Sequence, residues 1–469
     1  FFFRQCCSMR WLVVAATSTL FCIIALLATP RNTHIHAQPK KALTSQVTHL
    51  KGESEAKIES HAAHRAAALP SDVRHGDESS DSPVRIKPRN YTQRYLDLPP
   101  YLTKLPAEKY SKLPSKFYIY QEASLNHSGL LSCLPDWNDR ITTQYTAEVF
   151  ALSHLVNHPK RVQDPAKASL FLLPVLMHIS FYAGYCLGST HKDRMNAMAD
   201  TLQKSPHFRK STGKNHILIC NDWQLIRSSH FLGKPLTRVL KYFVLGTMEP
   251  RDLAWYTNPV GRNCGTNMPY VENKALSSLA KGWVTEQRPI SVFFMGSMQP
   301  DMNKVRWAVK EVGALPNSEI VDVPRGCEGK ECINRVKNIA QSFQKSSFCL
   351  APRGDTPTSQ RIFNSIAAGC VPIIVSDGIS LPFIDLFDWS QFALFIPEAK
   401  FLAAPAQAVK DVIGNVTEPQ LHQLRLNLQL VGPHLLWRQP DSVVAHNALV
   451  DLQFRCFQDK KWGLLQESE

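Results

Sequence analysis

Eight short apolar runs follow one another from Lys116 onward: KFYIYQ, ASLFLLPVL, NHILICND, ISVFFMGS, SEIVDVP, SSFCLAP, CVPIIVSD and FALFIPE. Each is nearly continuous in apolar character rather than alternating. A strand covered on both faces by helices needs that pattern. Helical patterns lie between several of the runs. TAEVFALSHLVNH carries Val149, Phe150, Leu152 and Leu155, with Glu148 near its start, and RIFNSIAAG puts Ile362, Phe363 and Ile366 on one face. Strand alternating with helix predicts α/β layers built on parallel, doubly wound sheets. The strands suffice for two Rossmann-like units, over residues 113–285 and, with closing helices, 286–469. Their ligand site is expected in the cleft between them.

The chain upstream has a different texture. Trp11–Ala28 reads WLVVAATSTLFCIIALLA, 18 residues without a charge. That length crosses a bilayer as one helix. It also exceeds the roughly 7–15-residue apolar core of a cleaved signal peptide, the competing reading. Residues 11–29 are therefore expected to be a signal anchor. Residues 1–10, which lack an initiating Met, are expected to be a cytoplasmic tail that has been cut short. Residues 30–112 are rich in Ala, Ser, His, Lys, Glu and Pro and read as a disordered stem. Asn90, Asn126 and Asn415 each begin an N-glycosylation triplet, which fits a luminal body. Nine cysteines follow the anchor, so an oxidising compartment would leave at least one unpaired. Cys327 and Cys332 could close a small hairpin, whereas Cys349 and Cys370, on apolar strands, are expected to be buried thiols. The formal net charge of +14 favours anionic partners. Basic residues do not alternate with aromatics, so nucleic acid is not expected.

The richest stretch is CLAPRGDTPTSQRIFNSIAAGCVPIIVSD, Cys349–Asp377. It reads as strand, turn, helix, strand. Thr356 suits an N-cap and Pro357 the first helical position, which predicts a helix over Pro357–Ala368 closed by a left-handed Gly369. The N-terminus of such a helix, at the carboxyl end of a strand, attracts anions. Thr358 and Ser359 add hydroxyls, and Arg353 and Arg361 add forked charges that suit phosphate oxygens. Gly354 lets the backbone approach a ligand closely. The set predicts a diphosphate cradle without a Walker-type lysine; a capped helix beside a surface arginine is the plainer alternative. No metal site is expected. There is no Asp-x-Asp, and His154 and His158, at i and i+4, have neither a Glu between them nor an evident third ligand.

The stretch SSFCLAPRGDTPTSQRIFNSIAAGCVPIIVSD…LPFIDLFDWSQFALFIPE closely resembles the hallmark region of the exostosin family of glycosyltransferases. Weaker matches run upstream through FYIYQ, QYTAEVFALSHLVNHPKRVQDPAKASLFLLPV, SPHFRKSTGKNHILICNDWQ and RPISVFFMGSM, so the resemblance covers about residues 116–400. It implies a two-Rossmann GT-B fold in a type II Golgi membrane protein, catalysing inverting transfer from a nucleotide sugar, in the first instance a UDP-sugar, without an obligatory metal or other cofactor. The implied acceptor is a polysaccharide or glycoprotein glycan, and homo- or hetero-oligomers with another glycosyltransferase fit the family. On this reading Arg353, Gly354, Thr358, Ser359 and Arg361 hold the diphosphate. Asp377 and Glu398 contact sugar or ribose, Glu398 being better placed for paired hydroxyls. The chain departs from the pattern at Ser380, where many members carry Glu, at Met295-Gly296, where Arg-Gly is frequent, and over Gly261–Lys274.

Inverting transfer needs a general base on the lobe opposite the donor. Asp222, at the end of NHILICND, is the first choice, then Glu148, then His178. Each could instead be a cap or a satisfied core group. A non-catalytic exostosin-like partner subunit is the competing function, with Met295 and Ser380 as its suspicious positions. A binding module without chemistry would not need two full units.

Overall fold

The computed structural model describes residues 90–138, 141–222, 225, 229–239, 243–248, 265–276, 287–299, 303–323, 339–354 and 356–457. The anchor at residues 11–29 and the Cys327–Cys332 hairpin lie outside them. Among the described residues no helix is long and apolar enough to cross a membrane.

All eight apolar runs form strands, and two further strands join them. The first sheet contains β1 (Phe117–Ile119), β2 (Leu170–Leu172), β3 (His216–Ile219), β4 (Val244–Thr247) and β5 (Gly265–Asn267). Its strands are parallel and ordered β1-β2-β3-β4-β5. The second contains β6 (Ile290–Gly296), β7 (Ser318–Asp322), β8 (Ser346–Pro352), β9 (Val371–Val375) and β10 (Leu394–Phe395). It is also parallel, ordered β10-β9-β8-β6-β7. Read from β7, the second order is 2-1-3-4-5, the doubly wound flavodoxin-like arrangement, with its reversal between β6 and β8.

The first sheet corrects the doubly wound expectation, because its described strands follow one another without a reversal. Alternate residues still bury on both faces. Phe117, Ile119, Leu170, Leu172, Ile217 and Ile219 join the main core, together with Ala147, Ala151 and Leu155. Tyr118, Tyr120, Phe171, Leu173, Leu218 and Cys220 join a second core with Met195, Met198 and Leu202.

The helices that matter for the site, in chain order, are α1 (Tyr91–Leu96), α2 (Ala107–Lys112), α3 (Ala147–Leu155), α4 (Met177–Ala183), α5 (His191–Lys204), α6 (Lys304–Ala308), α7 (Gln360–Ala368), α8 (Glu398–Ala403), α9 (Glu418–Leu435) and α10 (Val444–Phe457). On the first sheet, α3 belongs to the main core and α5 to the second. The last helix follows the second sheet in sequence but packs on β4, β5 and α3 of the first. A boundary that gives all of 286–469 to the second unit therefore fails for α10. Its long run Val444–Gln453 is buried without a break, and such a helix must be covered all round.

The stem boundary at 112 is corrected too. Residues 90–112 are folded, with Tyr91, Tyr95, Leu98, Leu102, Leu105 and Tyr110 buried. Tyr95 stacks on Tyr110 with ring centres 3.7 Å apart and donates to the carbonyls of Leu105 and Leu386. Tyr110 donates to Asn447 Oδ1 on α10 at 2.6 Å. Cys349 and Cys370, expected as thiols, form a disulfide between β8 and the residue before β9. Both side chains are buried on neighbouring strands, so they meet across the sheet. A second disulfide joins Cys133 to Cys186, and Cys220 is a free buried thiol.

Candidate active site

The helix expected over Pro357–Ala368 starts three residues later, at Gln360, with Ser359 rather than Thr356 as its N-cap. Local bonds explain the shift. The Gly354 N–H donates to the Thr356 carbonyl, and Ser376 Oγ donates to the Pro357 carbonyl, so Thr356 and Pro357 are held in a turn outside the helix. Ser359 Oγ accepts from the Arg361 N–H at 3.4 Å. Gly369 ends the helix with φ 64° and ψ 24°, as its position predicted.

The helix rises from the carboxyl end of β8, beside the strand-order reversal. In open α/β sheets ligands bind at this crevice. Arg361 reaches across it. Its Nε donates to the Met295 carbonyl at 2.7 Å, one Nη donates to Ser359 Oγ at 3.1 Å, and its guanidinium lies 4.9 Å from the Phe294 ring centre. Gly296, the last residue of β6, makes room for it: a Cβ there would stand 1.8 Å from an Arg361 nitrogen. Burial, and then the nearby charge of Arg306, push the Arg361 guanidinium down to about 9, so it is still a cation at neutral pH. Among the described residues no carboxylate pairs with it.

Arg306, on α6, carried no signal in the sequence. Its Nε donates to the Arg353 carbonyl at 3.1 Å, and a Cβ on Gly354 would stand 2.3 Å from one of its nitrogens. Arg353 is partly exposed, lies 3.6 Å from Glu398 Oε1, and keeps a buried Nε without a partner among the described residues. Thr358 is buried beside the turn. Three guanidinium groups thus converge at one helix N-terminus, with Glu398 3.6 Å from Arg353. Such a set suits an anion of more than one charge.

Asp377 and Glu398 are brought together. The Asp377 N–H donates to Glu398 Oε1 and the Glu398 N–H to Asp377 Oδ1, each at 3.0 Å, which ties the end of β9 to the start of α8. Glu398 thereby stands between Arg353 and Asp377 at the rim of the cradle. At the departure Met295-Gly296, the backbone carbonyl and the missing Cβ make the contacts to Arg361, and neither depends on the Met side chain.

On the first sheet the three base candidates converge. His178 Nδ1 and Asp222 Oδ2 are 2.6 Å apart, both side chains being about 1% exposed or less. Glu148 Oε1 accepts the Ile179 N–H at 3.2 Å. Burial first, with the Asp222 charge contributing, pushes the Glu148 carboxyl well above its usual range. Its Oε2 has no partner among the described residues and borders a cavity of about 10 Å³, room for about one water molecule. The rings of Tyr145 and Tyr182 flank His178 at 5.8 and 4.5 Å. The histidine pair considered for zinc is split: His158 Nε2 lies 3.0 Å from His446 Nδ1, and His154 faces Trp437.

The two crests are joined through the segment after β5. Gln360 on α7 donates to the Val271 carbonyl at 2.8 Å, the Asn273 N–H to Asn364 Oδ1 at 2.9 Å, and the N–H groups of Trp437 and Arg438 to Glu272 at 3.0 and 2.7 Å. Residues 265–274, part of the departing segment Gly261–Lys274, therefore connect the cradle to the first sheet.

Known proteins share this sequence pattern. The exostosin GT47 domain profile matches residues 95–411. In Arabidopsis thaliana the "Probable arabinosyltransferase ARAD1" is 28% identical, the match covering 61% of this chain and 61% of that protein. The "Probable xyloglucan galactosyltransferase GT13" of the same plant is 22% identical over 69% of this chain and 70% of its own. The "Probable glucuronoxylan glucuronosyltransferase IRX7" is 25% identical over 67% and 70%. Among solved structures, the sucrose-phosphate synthase of Thermosynechococcus elongatus covers 56% of this chain and 69% of its own at 12% identity and a TM-score of 0.31. At that score the fold assignment rests on the strand order alone. The profile takes in more than half the chain, including both sheets and the cradle, and the chain belongs to the exostosin GT47 domain family.

Proposed function

We propose that this chain is a GT-B-type glycosyltransferase that moves a sugar, with inversion, from a nucleotide-sugar donor to a glycan acceptor. The observation that carries the reading is the half-buried Arg361 cation at the β6/β8 reversal, with no carboxylate partner among the described residues. A UDP-sugar is the first donor to test. The named relatives span arabinosyl, galactosyl and glucuronosyl transfer, so they do not choose the sugar. Two of those names specify xyloglucan or glucuronoxylan, which favours a polysaccharide acceptor.

In this mechanism Arg353, Arg361 and the N–H groups at the start of α7 stabilise charge developing on the departing diphosphate. A divalent metal is not required for that task. Glu398 and Asp377, fixed to each other at the rim, accept from hydroxyls of the ribose or the transferred sugar. Across the cleft, Asp222 holds His178 through Nδ1 and leaves Nε2 to take the acceptor proton. His178 is then the base and Asp222 its positioning residue. Glu148, held neutral by burial, fixes the backbone at the start of α4. The body is placed in the Golgi lumen behind an N-terminal anchor. The exposure of all three sequon asparagines supports this, since a glycan needs a free surface.

The test is thermal unfolding of the full chain in EDTA with UDP and other nucleoside diphosphates. The expected result is a raised melting temperature at saturating UDP. Stabilisation of about 2.7 kcal/mol corresponds to a ligand at a hundred times its Kd. Arg361→Ala should abolish the shift. Binding that is unchanged by Arg361→Ala, or no binding of any diphosphate, would overturn the assignment.

A further inference from the structure

We propose that the loop over residues 184–189 is an acceptor-glycan platform, with Tyr185 as the ring on which a sugar stacks. This rests on the transferase reading and adds to it a subsite on the first lobe. Two large apolar side chains stand at the tip, Tyr185 at 75% and Leu187 at 69% exposure. Exposed apolar residues are common singly; this pair is set apart by how firmly its backbone is fixed.

Between them Cys186 is buried and bonded to Cys133. The backbones of Cys186 and Ser189 exchange hydrogen bonds at 2.9 and 3.1 Å. Arg194, from α5, is buried beneath the loop and donates to the carbonyls of Gly184, Cys186 and Ser189 in it and to Ser180 in the middle of α4. Leu187 is held at φ 49°, a conformation that side chains with a Cβ rarely adopt. A surface loop with two apolar tips would ordinarily be selected for neither rigidity nor strain. Both make sense if the tip must present a ring in one orientation, because a fixed ring loses little freedom on binding.

Location supplies the occupant. The loop continues directly from α4, whose second residue is His178. Tyr182, one turn along α4, has its ring 4.5 Å from that of His178. Tyr185 follows three residues later, just past the Gly184 that ends the helix. One short helix thus carries the proposed base, an aromatic ring beside it, and the loop that bears Tyr185. A glycan chain offers alternating C–H faces and hydroxyl edges, and its C–H faces suit an exposed aromatic ring. No carboxylate or charged side chain occurs within the loop, so the site is suited to the faces of sugar rings rather than to an ionic group.

The test uses the full chain on immobilised arabino-, xylogluco- and xylo-oligosaccharides in the absence of donor, with UDP stabilisation measured in parallel. The expected result is binding to at least one oligosaccharide, weakened about tenfold or more by Tyr185→Ala and restored by Tyr185→Phe, with the UDP shift unchanged in all three proteins. In turnover, Tyr185→Ala should raise KM for the acceptor and leave KM for the donor as it is. Oligosaccharide binding that is indifferent to Tyr185→Ala, beside an intact UDP shift, overturns the platform and leaves the transferase reading standing. A wild-type chain that binds no oligosaccharide overturns it as well, and loss of the UDP shift too would take the transferase reading with it.

Discussion

At the scale of single residues, the molecule sets a half-buried arginine and a buried glutamate in opposite ways. Arg361 stays charged because its partial burial is offset by hydrogen bonds and an aromatic face. Glu148 is buried without a cation, so its carboxyl holds a proton well above the pH at which it would lose it in the unfolded chain. The sign for stability follows. The native state binds more protons than the unfolded state above about pH 4.5, so this group's contribution is complete below that pH and is lost as pH rises through its raised native value. Glu148→Gln keeps an oxygen for the Ile179 N–H and removes the titration. The melting temperature of Glu148→Gln minus that of the wild type should therefore grow as pH rises from 4.5 toward 8. A flat difference across that range would show that Glu148 is ionised in the native protein. The sequence supplied Arg353, Arg361, Glu148, His178 and Asp222 because each follows a recognisable strand or opens a helix. It did not supply Arg306, whose helix carries no motif, nor the pairing of His178 with Asp222, which depends on two strand ends meeting in space.

At the scale of elements, apolar runs identify strands only when the strand is itself apolar. β5 is Gly265–Asn267, three residues without an apolar side chain, and it is held by its place beside β4 rather than by its composition. The start of α7 was misplaced for a related reason. Thr-Pro is a good helix opening on local preference, but hydrogen bonds from Gly354 and Ser376 hold the carbonyls of Thr356 and Pro357 in the turn before the helix. The true cap, Ser359, has two tasks: it closes the helix and it holds an Arg361 nitrogen at 3.1 Å. Ser359→Ala should cost about 1 kcal/mol of stability, as a lost N-cap does. It should also weaken UDP binding several-fold, because Arg361 loses one of its supports. Ser359→Thr should keep both. The check is a pair of measurements, unfolding without ligand and UDP titration; a stability loss with unaltered UDP affinity would reduce Ser359 to a cap alone.

At the scale of the whole molecule, two units were legible but their closure was not, because it comes from segments distant in sequence. Residues 90–112 read as stem when averaged with the polar stretch before them, yet their large side chains recur at intervals that let them bury. Thr103 pairs with Phe387, the Lys104 N–H donates to the Leu386 carbonyl, and the Asp388 N–H to the Leu102 carbonyl, so the segment lies along the second unit. Tyr110 then bonds to α10, which lies on the first sheet, so one strap engages both. Tyr91, beside it, stacks on His446 of α10 with ring centres 4.8 Å apart. Burial of each such side chain stabilises by roughly 1.5–3 kcal/mol. Six of them together amount to roughly 9–18 kcal/mol of gross burial, from which the entropy of ordering the segment is subtracted. Cutting the chain at the compositional boundary should therefore do more than trim a tail. A chain beginning at residue 113 should be recovered mostly insoluble or should lack a cooperative unfolding transition, while one beginning at residue 90 should unfold cooperatively and retain UDP stabilisation. Equal melting temperatures for the two would mean that the strap is only laid on the surface of a body already complete without it. Because the strap spans both units, its loss should also loosen the placement of the base crest opposite the donor cradle. A chain lacking it that still folded would then keep UDP binding and lose transfer.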